Sequence, residues 1–249
     1  MNGFDKIDEL QMMVNVSKRI VFFGGAGVST ESGLPDFRSV DGLYSQTYEY
    51  PPEMMLSRTF FDRHTDQFFA FYRDKVLYPD AKPNAAHRKL AELEAAGKLA
   101  AVITQNIDGL HQAAGSKQVL ELHGSVHRNT CMRCHRLFGL SAILETPGIP
   151  HCPCGGIIKP DVVLYEEGLD EETMRQAIKA LQQADMLIIG GTSLVVYPAA
   201  GLVDYYNGRR LVLINKEPSP MDEHADLVIH EPIGQVLGKV SVNGTGGLS

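Results

Sequence analysis

Residues 20–38 read Ile20-Val-Phe-Phe-Gly-Gly-Ala-Gly-Val-Ser-Thr-Glu-Ser-Gly-Leu-Pro-Asp-Phe-Arg38. Four apolar residues predict a short buried strand, and the glycines after them predict a tight turn that leads into a helix start. Backbone N–H groups of such a turn can hold a pyrophosphate. Thr30 stands where a dinucleotide fingerprint has its third glycine, so a glycine turn without a ligand is the alternative.

Five further apolar runs continue this pattern, at 101–104, 119–122, 186–189, 211–214 and 227–230. Helical patterns stand between them. One begins after the N-cap candidate Asn84 and stops at Gly97, one covers residues 171 to about 184, and one follows Pro198. The alternation predicts an α/β fold, with a Rossmann-like parallel sheet and helices on both of its faces.

Two stretches interrupt the alternation and predict a smaller lobe. Residues 40–80 hold aromatic helical segments, and residues 124–157 are rich in Pro, Gly and Cys. We therefore expect residues 1–39, 81–123 and 158–242 to form the Rossmann-like domain. Residues 40–80, as a helical insertion, and 124–157, as a zinc-ribbon module, form the small lobe, and residues 243–249 are expected to be a disordered tail.

All four cysteines lie in the second of these stretches, as Cys131-Met-Arg-Cys134 and Cys152-Pro-Cys154. Two close pairs of thiolates are typical of a tetrahedral Zn²⁺ site. Four sulfur ligands leave no open position, so the ion is expected to be structural; binding free energies of ~10–16 kcal/mol in small modules would fold a weak segment. His135 and His151 adjoin the cysteines and are rival ligands.

The bulk composition limits the partners and the location. A net charge of -7 disfavours a nucleic-acid or anionic-membrane surface and suits a cationic partner such as a lysine-bearing peptide. The N-terminus lacks a signal pattern, and no apolar run approaches the ~18 residues of a membrane span. We expect a cytoplasmic protein, where disulfides are rare, and nothing in the sequence requires an oligomer.

Polar residues follow several of the predicted strands. Gln105, Asn106 and Asp108 follow the second strand, Thr192-Ser193 follows a later one, and Asn215 ends another. Carboxyl ends of parallel strands share one edge, so these side chains are expected to line one crevice, with donors and acceptors for a ribose and a carboxamide. Asp108 alone could instead cap the next helix through an Asx-turn.

His123-Gly124 follows the predicted strand at 119–122. An imidazole with an ordinary pKa near ~6.5 suits proton transfer near neutral pH, so His123 is the candidate general base. His111 lies on a probable helix and is interpreted as a packing residue.

Taken in order, these motifs resemble the sirtuins, a family of NAD-dependent protein-lysine deacylases. The resemblance covers about residues 15–235 and rests on residues 25–38, 104–111, 123–124 and 191–193, the cysteine pairs and Asn215. It implies NAD as cosubstrate, one structural Zn²⁺ and acetylated-lysine proteins or peptides as partners. It further implies deacetylation that gives nicotinamide, deacetylated lysine and O-acetyl-ADP-ribose.

The resemblance also implies roles for individual residues. The catalytic residues would be His123, Asn106 and Asp108, with the Asp108 carboxylate on the nicotinamide carboxamide. The NAD site would comprise Ala26, Thr30, Phe37, Arg38, Gln105, Asn106, Ile107, Asp108, His123, Thr192, Ser193 and Asn215. The substrate peptide would contact Val162, Val163, Leu164, Tyr165, Leu194 and Val195.

Three features depart from the family pattern: Cys152 and Cys154 are separated by a single residue, which still allows two bonds to one metal, and two positions bear on the substrate. Members that remove acidic acyl groups carry Tyr-x-x-Arg, whereas this chain has Tyr72 and Lys75, which makes these two residues candidates for the acyl pocket. A lysine meets a carboxylate as a point charge, so removal of succinyl or longer acyl groups stays an alternative. Glu166 replaces a usual glycine and is expected to alter the exit of the peptide groove or to favour basic residues near the acyl-lysine.

Three other functions are alternatives to deacetylation. Mono-ADP-ribosyl transfer could use the same scaffold, although an intact His123 favours deacylation. A non-enzymatic NAD-sensing or zinc-ribbon module would not need that histidine. A zinc-bearing dehydrogenase conflicts with the closed sulfur shell and the missing third glycine.

Overall fold

The computed structural model describes residues 5–36 and 50–242. Phe37, Arg38, residues 40–49 of the predicted insertion and the predicted tail at 243–249 lie outside these ranges. The strands are β1 (Ile20–Gly24), β2 (Leu99–Thr104), β3 (Val119–Glu121), β4 (Gly124–Cys131), β5 (Leu137–Phe138), β6 (Ile158–Val162), β7 (Met186–Gly190), β8 (Leu211–Ile214) and β9 (Leu227–Ile229).

The helices of the described residues are short. The α-helices are α1 (Lys6–Val16), α2 (Pro52–Met55), α3 (Arg58–Arg63), α4 (Thr65–Lys75), α5 (Ala85–Ala95), α6 (Leu110–Ala113), α7 (Ser141–Leu144), α8 (Glu171–Gln183) and α9 (Ile233–Gly238), with 3₁₀ helices at Ala26–Val28, Thr30–Ser32, Ala199–Tyr205 and Pro220–His224. Within the described ranges no helix combines the length and the apolar character needed to cross a membrane.

The main sheet has six strands in the order β3-β2-β1-β7-β8-β9. All neighbours pair in parallel, and Phe22 of β1 lies between Val102 of β2 and Ile188 of β7. The chain runs outward from β1 to β3 and then from β7 to β9 on the other side. Strand order therefore reverses between β1 and β7, the place where ligands of such sheets bind. The predicted Rossmann-like sheet is confirmed.

Side chains of β1 alternate between two apolar layers. Ile20 and Phe22 pack with helices α1, α5 and α9 on one face. Val21 and Phe23 pack with α8 and the 3₁₀ helix Ala199–Tyr205 on the other. A strand buried on both faces reads as a continuous apolar run, which is why the residues at 20–23 signal it so clearly.

The predicted helix boundaries are largely confirmed. Asn84 caps α5, because its side-chain oxygen accepts the Ala86 N–H at 2.9 Å, and the helix ends two residues before Gly97. Helix α8 covers Glu171–Gln183 and begins at the cap Asp170. The segment after Pro198 forms a 3₁₀ helix rather than an α-helix. It contains Gly201 and Val203, both poor α-helix formers, and spans only seven residues.

The small lobe joins the helical insertion to the cysteine segment through one core. Aromatic side chains of α3 and α4 pack with Cys131, Cys152 and Ile158. The segment carries an antiparallel sheet in the order β5-β4-β6. The predicted boundary after residue 157 cuts this sheet, because its third strand continues to Val162. The remainder of the domain division stays a prediction.

Candidate active site

A cavity of about 660 Å³ lies at the carboxyl ends of β1, β2, β7 and β8, beside the small lobe. Of the predicted site residues, it is lined by Ala26, Thr30, Tyr72, Lys75, Gln105, Asn106, Ile107, Asp108, His123, Val162, Val163, Leu164, Tyr165, Thr192, Ser193, Val195 and Asn215. Leu194 is not part of this lining and packs against the apolar layer that includes α8. Phe37 and Arg38 lie outside the described residues.

The glycine-rich turn after β1 packs directly on the turn after β7. The Gly27 N–H donates to the Gly191 carbonyl at 2.8 Å, and a Cβ on Gly27 would lie 2.8 Å from Gly191 Cα. Gly191 has φ +59°, and a Cβ there would lie 2.3 Å from the Val28 nitrogen. Only glycine allows the two backbones to approach this closely at the strand ends.

The expected helix start after this turn is replaced by two 3₁₀ turns, Ala26–Val28 and Thr30–Ser32. Gly33 and Pro35 follow at once, and both residues disfavour continuation of a helix. Any anion held here would meet turn amides, without the dipole of a long helix behind them.

Ser29 connects the glycine-rich turn to the polar loop after β2. Its Oγ donates to Asp108 Oδ2 at 2.6 Å and accepts from Asn106 Nδ2 at 3.1 Å, and the residue is buried. Ser29 is not among the residues that the sequence predicts for the site. Its only signal was a hydroxyl within the glycine-rich run, since its partner Asp108 is 79 positions away.

Asp108 is held by several groups at once. Its Oδ1 accepts the Leu110 N–H at 2.8 Å, so the predicted Asx-type cap on the next helix is present. Its carbonyl accepts from His127 Nε2 at 3.0 Å. Burial raises the pKa of Asp108, while the hydrogen bonds from Ser29 and Leu110 act in the opposite direction. The carboxylate therefore serves both as a cap and as part of the cavity wall.

His123 is oriented by backbone on both sides. Its Nδ1 lies 2.9 Å from the Gln105 carbonyl, and its own carbonyl accepts the Val163 N–H at 3.0 Å. Because a carbonyl oxygen cannot donate, Nδ1 carries the hydrogen, and Nε2 is left as the ring nitrogen that can accept a proton. Burial lowers the pKa of His123, and the Gln105 hydrogen bond partly opposes that shift.

Gly124 lets the chain turn beside His123 into the small lobe. Its φ is +76°, and a Cβ at this position would lie 1.9 Å from the Asp161 carbonyl oxygen of β6. A side chain here would separate β4 from β6 and displace His123. The His-Gly pair in the sequence therefore reflects a steric requirement next to a polar side chain.

Asn215 acts on the turn after β7. Its Oδ1 accepts the Thr192 N–H at 3.0 Å, and its Nδ2 donates to the Thr192 carbonyl at 3.0 Å. Thr192 Oγ1 in turn accepts from Gln105 Nε2 at 3.0 Å. The ends of β2, β7 and β8 are thus joined by side-chain hydrogen bonds, and both polar ends of the Asn215 amide are bonded to backbone.

Apolar side chains form the rim of the cavity on the small-lobe side. Tyr165 and Val195 are exposed, and Tyr197, which sequence reasoning did not select, is 74% exposed. All three line the cavity. The segment with Val163 and Tyr165 is fixed on one edge, since the Tyr165 N–H donates to the Leu56 carbonyl at 3.0 Å.

Tyr72 and Lys75 lie on α4 at the same cavity. The Tyr72 ring stacks on Phe68, and its hydroxyl is buried without a hydrogen-bond partner among the described residues. Burial strongly raises the pKa of Tyr72, so the hydroxyl stays protonated and can donate. Lys75 forms an ion pair with Asp74 at 3.0 Å.

The four cysteines fit a tetrahedral metal ion. Their sulfur atoms all lie within 4.8 Å of one another, with Cys131–Cys154 at 3.5 Å and Cys134–Cys152 at 3.6 Å. Zn–S bonds of about 2.3 Å require sulfur separations near about 3.8 Å. The Cys134 N–H points to Cys131 Sγ and is the main cause that lowers the pKa of Cys131 to about 6. Neither His135 nor His151 belongs to the cluster in the described part of the chain.

Comparisons with known proteins agree with this geometry. Residues 25–198 match the Sir2 family. A Clostridium acetobutylicum protein named NAD-dependent protein deacetylase is 60% identical over 240 residues, covering 95% of this chain and 98% of that protein.

Two solved structures are similar over nearly the whole chain. A Sir2 variant with a deacetylated p53 peptide and 3′-O-acetyl-ADP-ribose is 38% identical, with a TM-score of 0.86 and coverage of 94% of this chain and 97% of that chain. A Sir2 complex with a p53 peptide and NAD⁺ is 39% identical, with a TM-score of 0.82 and coverage of 94% and 96%. The chain belongs to the Sir2 family, the sirtuins.

Proposed function

We infer that this protein is an NAD-dependent protein deacetylase. It transfers the acetyl group of an acetylated lysine to the ADP-ribose part of NAD, which releases nicotinamide and the free lysine and forms O-acetyl-ADP-ribose. The inference rests on one cavity, in which the oriented imidazole of His123 shares the walls with the polar ends of four strands. The names of the relatives support it, since they describe the same activity.

His123 supplies the base in this proposal. An amide oxygen is a weak nucleophile and attacks the ribose anomeric carbon only as the cationic nicotinamide leaves. A ribose hydroxyl must then lose its proton to react further, and an unprotonated Nε2 is suited to take it. The Gln105 carbonyl keeps the hydrogen on Nδ1, which reserves Nε2 for that transfer.

The polar strand ends would hold the nucleotide. Asn106 and Asp108 lie at the catalytic end, where the Asp108 carboxyl and its loop can meet the nicotinamide carboxamide. Ala26, Thr30, Gln105, Ile107, Thr192 and Ser193 supply the other described contacts. We propose that Asn215 acts through Thr192, because its amide already bonds the Thr192 backbone on both sides. Roles for Phe37 and Arg38 stay predictions.

The peptide would bind along Val162–Tyr165 on one side and Val195 on the other, with Leu194 supporting that wall from the apolar layer below it. Zn²⁺ would be held by Cys131, Cys134, Cys152 and Cys154. It would supply no chemistry, because four thiolates close its shell, and it would hold the small lobe that carries β6.

One assay tests this function. The protein is incubated with NAD and an acetyl-lysine peptide, and nicotinamide and peptide mass are followed together. We expect one nicotinamide per acetyl group removed and no nicotinamide with the unacetylated peptide. His123→Ala should abolish turnover while calorimetry still detects peptide and NAD binding. Label from NAD that becomes attached to protein would support ADP-ribosyl transfer instead, and binding without turnover would support an NAD-sensing module.

A second candidate concerns the acyl group. The buried Tyr72 hydroxyl without a partner in the described residues, together with Lys75 on the same cavity wall, favours an acyl chain that ends in a polar or acidic group. A panel of acetyl, propionyl and succinyl peptides should then show succinyl turnover that falls in Lys75→Ala but not in the surface control Lys179→Ala. Equal acyl preference in both variants would remove this candidate.

The location and other partners stay predictions. Four cysteines grouped for metal binding favour a reducing compartment, and we propose the cytoplasm. The acidic net charge favours protein over nucleic acid or membrane as the partner, and an oligomer is not required by the proposed chemistry.

A further inference from the structure

The groove-lining segment ends in Tyr165-Glu-Glu167, and the two glutamates lie in unusual surroundings. Glu166 has φ +75°, a left-handed conformation that side-chain-bearing residues rarely adopt. Its Oε2 accepts the Thr59 N–H at 2.8 Å, at the first turn of α3. Hydrogen bonds from Thr59 lower the pKa of Glu166. One oxygen of this exposed carboxylate is therefore held by α3.

Glu167 is the centre of a charged network beneath the same segment. Its Oε1 accepts from Arg58 Nη1 at 3.2 Å, and its Oε2 accepts from the Leu164 N–H at 2.9 Å and Lys159 Nζ at 3.2 Å. Lys159 Nζ also donates to the Val162 carbonyl at 3.2 Å. The Glu167 and Lys159 side chains are only 19% and 15% exposed, so the charge-assisted bonds are partly shielded from water.

Backbone contacts place this network between the small lobe and the catalytic histidine. The Arg58 N–H donates to the Tyr165 carbonyl at 3.0 Å, which ties the segment to α3. Two residues earlier, the Val163 N–H donates to the His123 carbonyl at 3.0 Å. The few residues between Val162 and Tyr165 thus connect α3, Glu167 and His123.

We propose that Glu167 is a positioning residue for the acylated peptide. The carboxylate holds the backbone of Val162–Tyr165 in one conformation, so that the peptide binds a preformed edge at a fixed distance from His123. The idea rests on the proposed deacetylase function and goes beyond it by assigning a role to a cavity-lining carboxylate that is not among the predicted site residues. Without the carboxylate, the edge would have to become ordered when the peptide binds, and that entropic cost would weaken peptide binding. NAD binding should change little, because the described NAD residues other than His123 lie at the ends of other strands.

The test compares Glu167→Ala and Glu167→Gln with Glu172→Gln, which removes the charge of an exposed, ion-paired carboxylate on α8. Fluorescence anisotropy measures the Kd of a labelled acetyl-lysine peptide, and initial rates give the KM for NAD. We expect Glu167→Ala to raise the peptide Kd about tenfold, Glu167→Gln to raise it by less because an amide oxygen can still accept the Leu164 N–H, and the NAD KM to stay within about twofold. Glu172→Gln should match the wild type.

Two results would overturn the proposal. One is a folded Glu167→Ala protein with the wild-type peptide Kd; if that variant does not fold, an unchanged Kd in Glu167→Gln has the same meaning. The other is an equal rise in peptide Kd and NAD KM, which would show general damage to the site. Wild-type protein that fails to distinguish the acetylated from the unacetylated peptide would instead overturn the proposed function on which this role rests.

Discussion

The protonation state of the His123 imidazole follows from two neighbours of different kinds. The Gln105 carbonyl selects the tautomer with hydrogen on Nδ1, and burial disfavours the imidazolium form. The pKa of His123 is therefore lowered. The neutral ring, which is the form that acts as a base, persists at pH values below the ordinary titration range of histidine.

The lowered pKa of His123 predicts how the rate depends on pH. Protonation of the base should end activity only below about pH 6.5, the ordinary histidine value, so the acidic limb of the kcat/KM profile should lie on the acid side of that value. Steady-state rates between about pH 5 and 9 measure it. An acidic limb above the ordinary value would contradict the assignment of His123 as the base.

The Ser29 hydroxyl joins Asn106 to Asp108, and its removal should slow the reaction. Ser29→Ala leaves Asn106 Nδ2 and Asp108 Oδ2 without the hydroxyl that now joins them, and removes a bond that lowers the pKa of Asp108. Unpaired buried polar groups cost about 1–3 kcal/mol, so kcat/KM should fall about 10- to 100-fold. The exposed Ser141→Ala on α7 is the control and should have the wild-type rate. If Ser29→Ala were as active as that control, the hydrogen bonds of Ser29 to Asn106 and Asp108 would not contribute to the reaction.

Helices α5 and α6 meet through two buried histidines. The His87 and His111 rings lie 4.7 Å apart, the Asn84 N–H donates to His87 Nδ1 at 3.2 Å, and neither nitrogen of His111 has a partner in the described residues. Burial lowers the pKa of His87 to about 4 and that of His111 to about 3. Both rings are therefore neutral packing residues, as the sequence predicts for His111.

The pair should make folding sensitive to acid. The unfolded chain takes up protons below about pH 6.5, before the folded pair does, so the stability these groups contribute is present above that pH and is lost as the pH falls towards 4. Each of the two histidines should therefore lower the free energy of unfolding by about 2 kcal/mol between pH 7 and pH 5.

Urea unfolding at pH 7 and pH 5 tests this, with His111→Phe as the variant, since a phenyl ring fills similar space without titrating. The variant should lose less stability on acidification than the wild type. An equal loss in both proteins would show that His111 does not take part.

Some elements could be predicted from the sequence and others could not, for a physical reason. Strand β1 is buried on both faces, so its side chains form a continuous apolar run. Strand β4, Gly-Ser-Val-His-Arg-Asn-Thr-Cys, and strand β6, Ile-Lys-Pro-Asp-Val, alternate with polar residues and border a small core, so they carry no such run. The predicted division after residue 157 therefore separates β6 from the sheet that it completes.

Strand β4 connects the candidate base to the zinc site, and through them the two lobes. Strand β4 begins at Gly124, directly after His123, and ends at Cys131. Along the way the Val126 N–H donates to the Ile107 carbonyl and His127 donates to the Asp108 carbonyl, both at 3.0 Å. Loss of the metal would therefore release the strand that supports the catalytic loop.

Zinc removal should abolish activity without any role of the metal in the reaction. Treatment with a chelator is expected to reduce near-UV circular dichroism, zinc content and deacetylation together, and readdition of Zn²⁺ should restore all three. Zinc-free protein with full activity would contradict the structural role of the cluster.

The meeting of Gln105, His123 and Thr192 at one cavity was predictable, because parallel strands bring their carboxyl ends to one edge of the sheet. Hydrogen bonds across that edge were not predictable. Ser29 pairs with Asp108, and Asn215 pairs with the Thr192 backbone, over separations that no local pattern records. The position of Leu194 was not predictable either. Its side chain packs against the apolar layer that includes α8 instead of lining the cavity, and this depends on tertiary packing.

A crystal structure of the protein with an acetyl-lysine peptide and an unreactive NAD analogue tests the proposed active site most directly. We predict one nucleotide across the ends of β1, β2, β7 and β8, and a ribose hydroxyl about 2.6–3.2 Å from His123 Nε2. The acetyl-lysine should lie between Val163 and Val195. An imidazole turned away from the sugar, or a nucleotide bound outside this cavity, would contradict it.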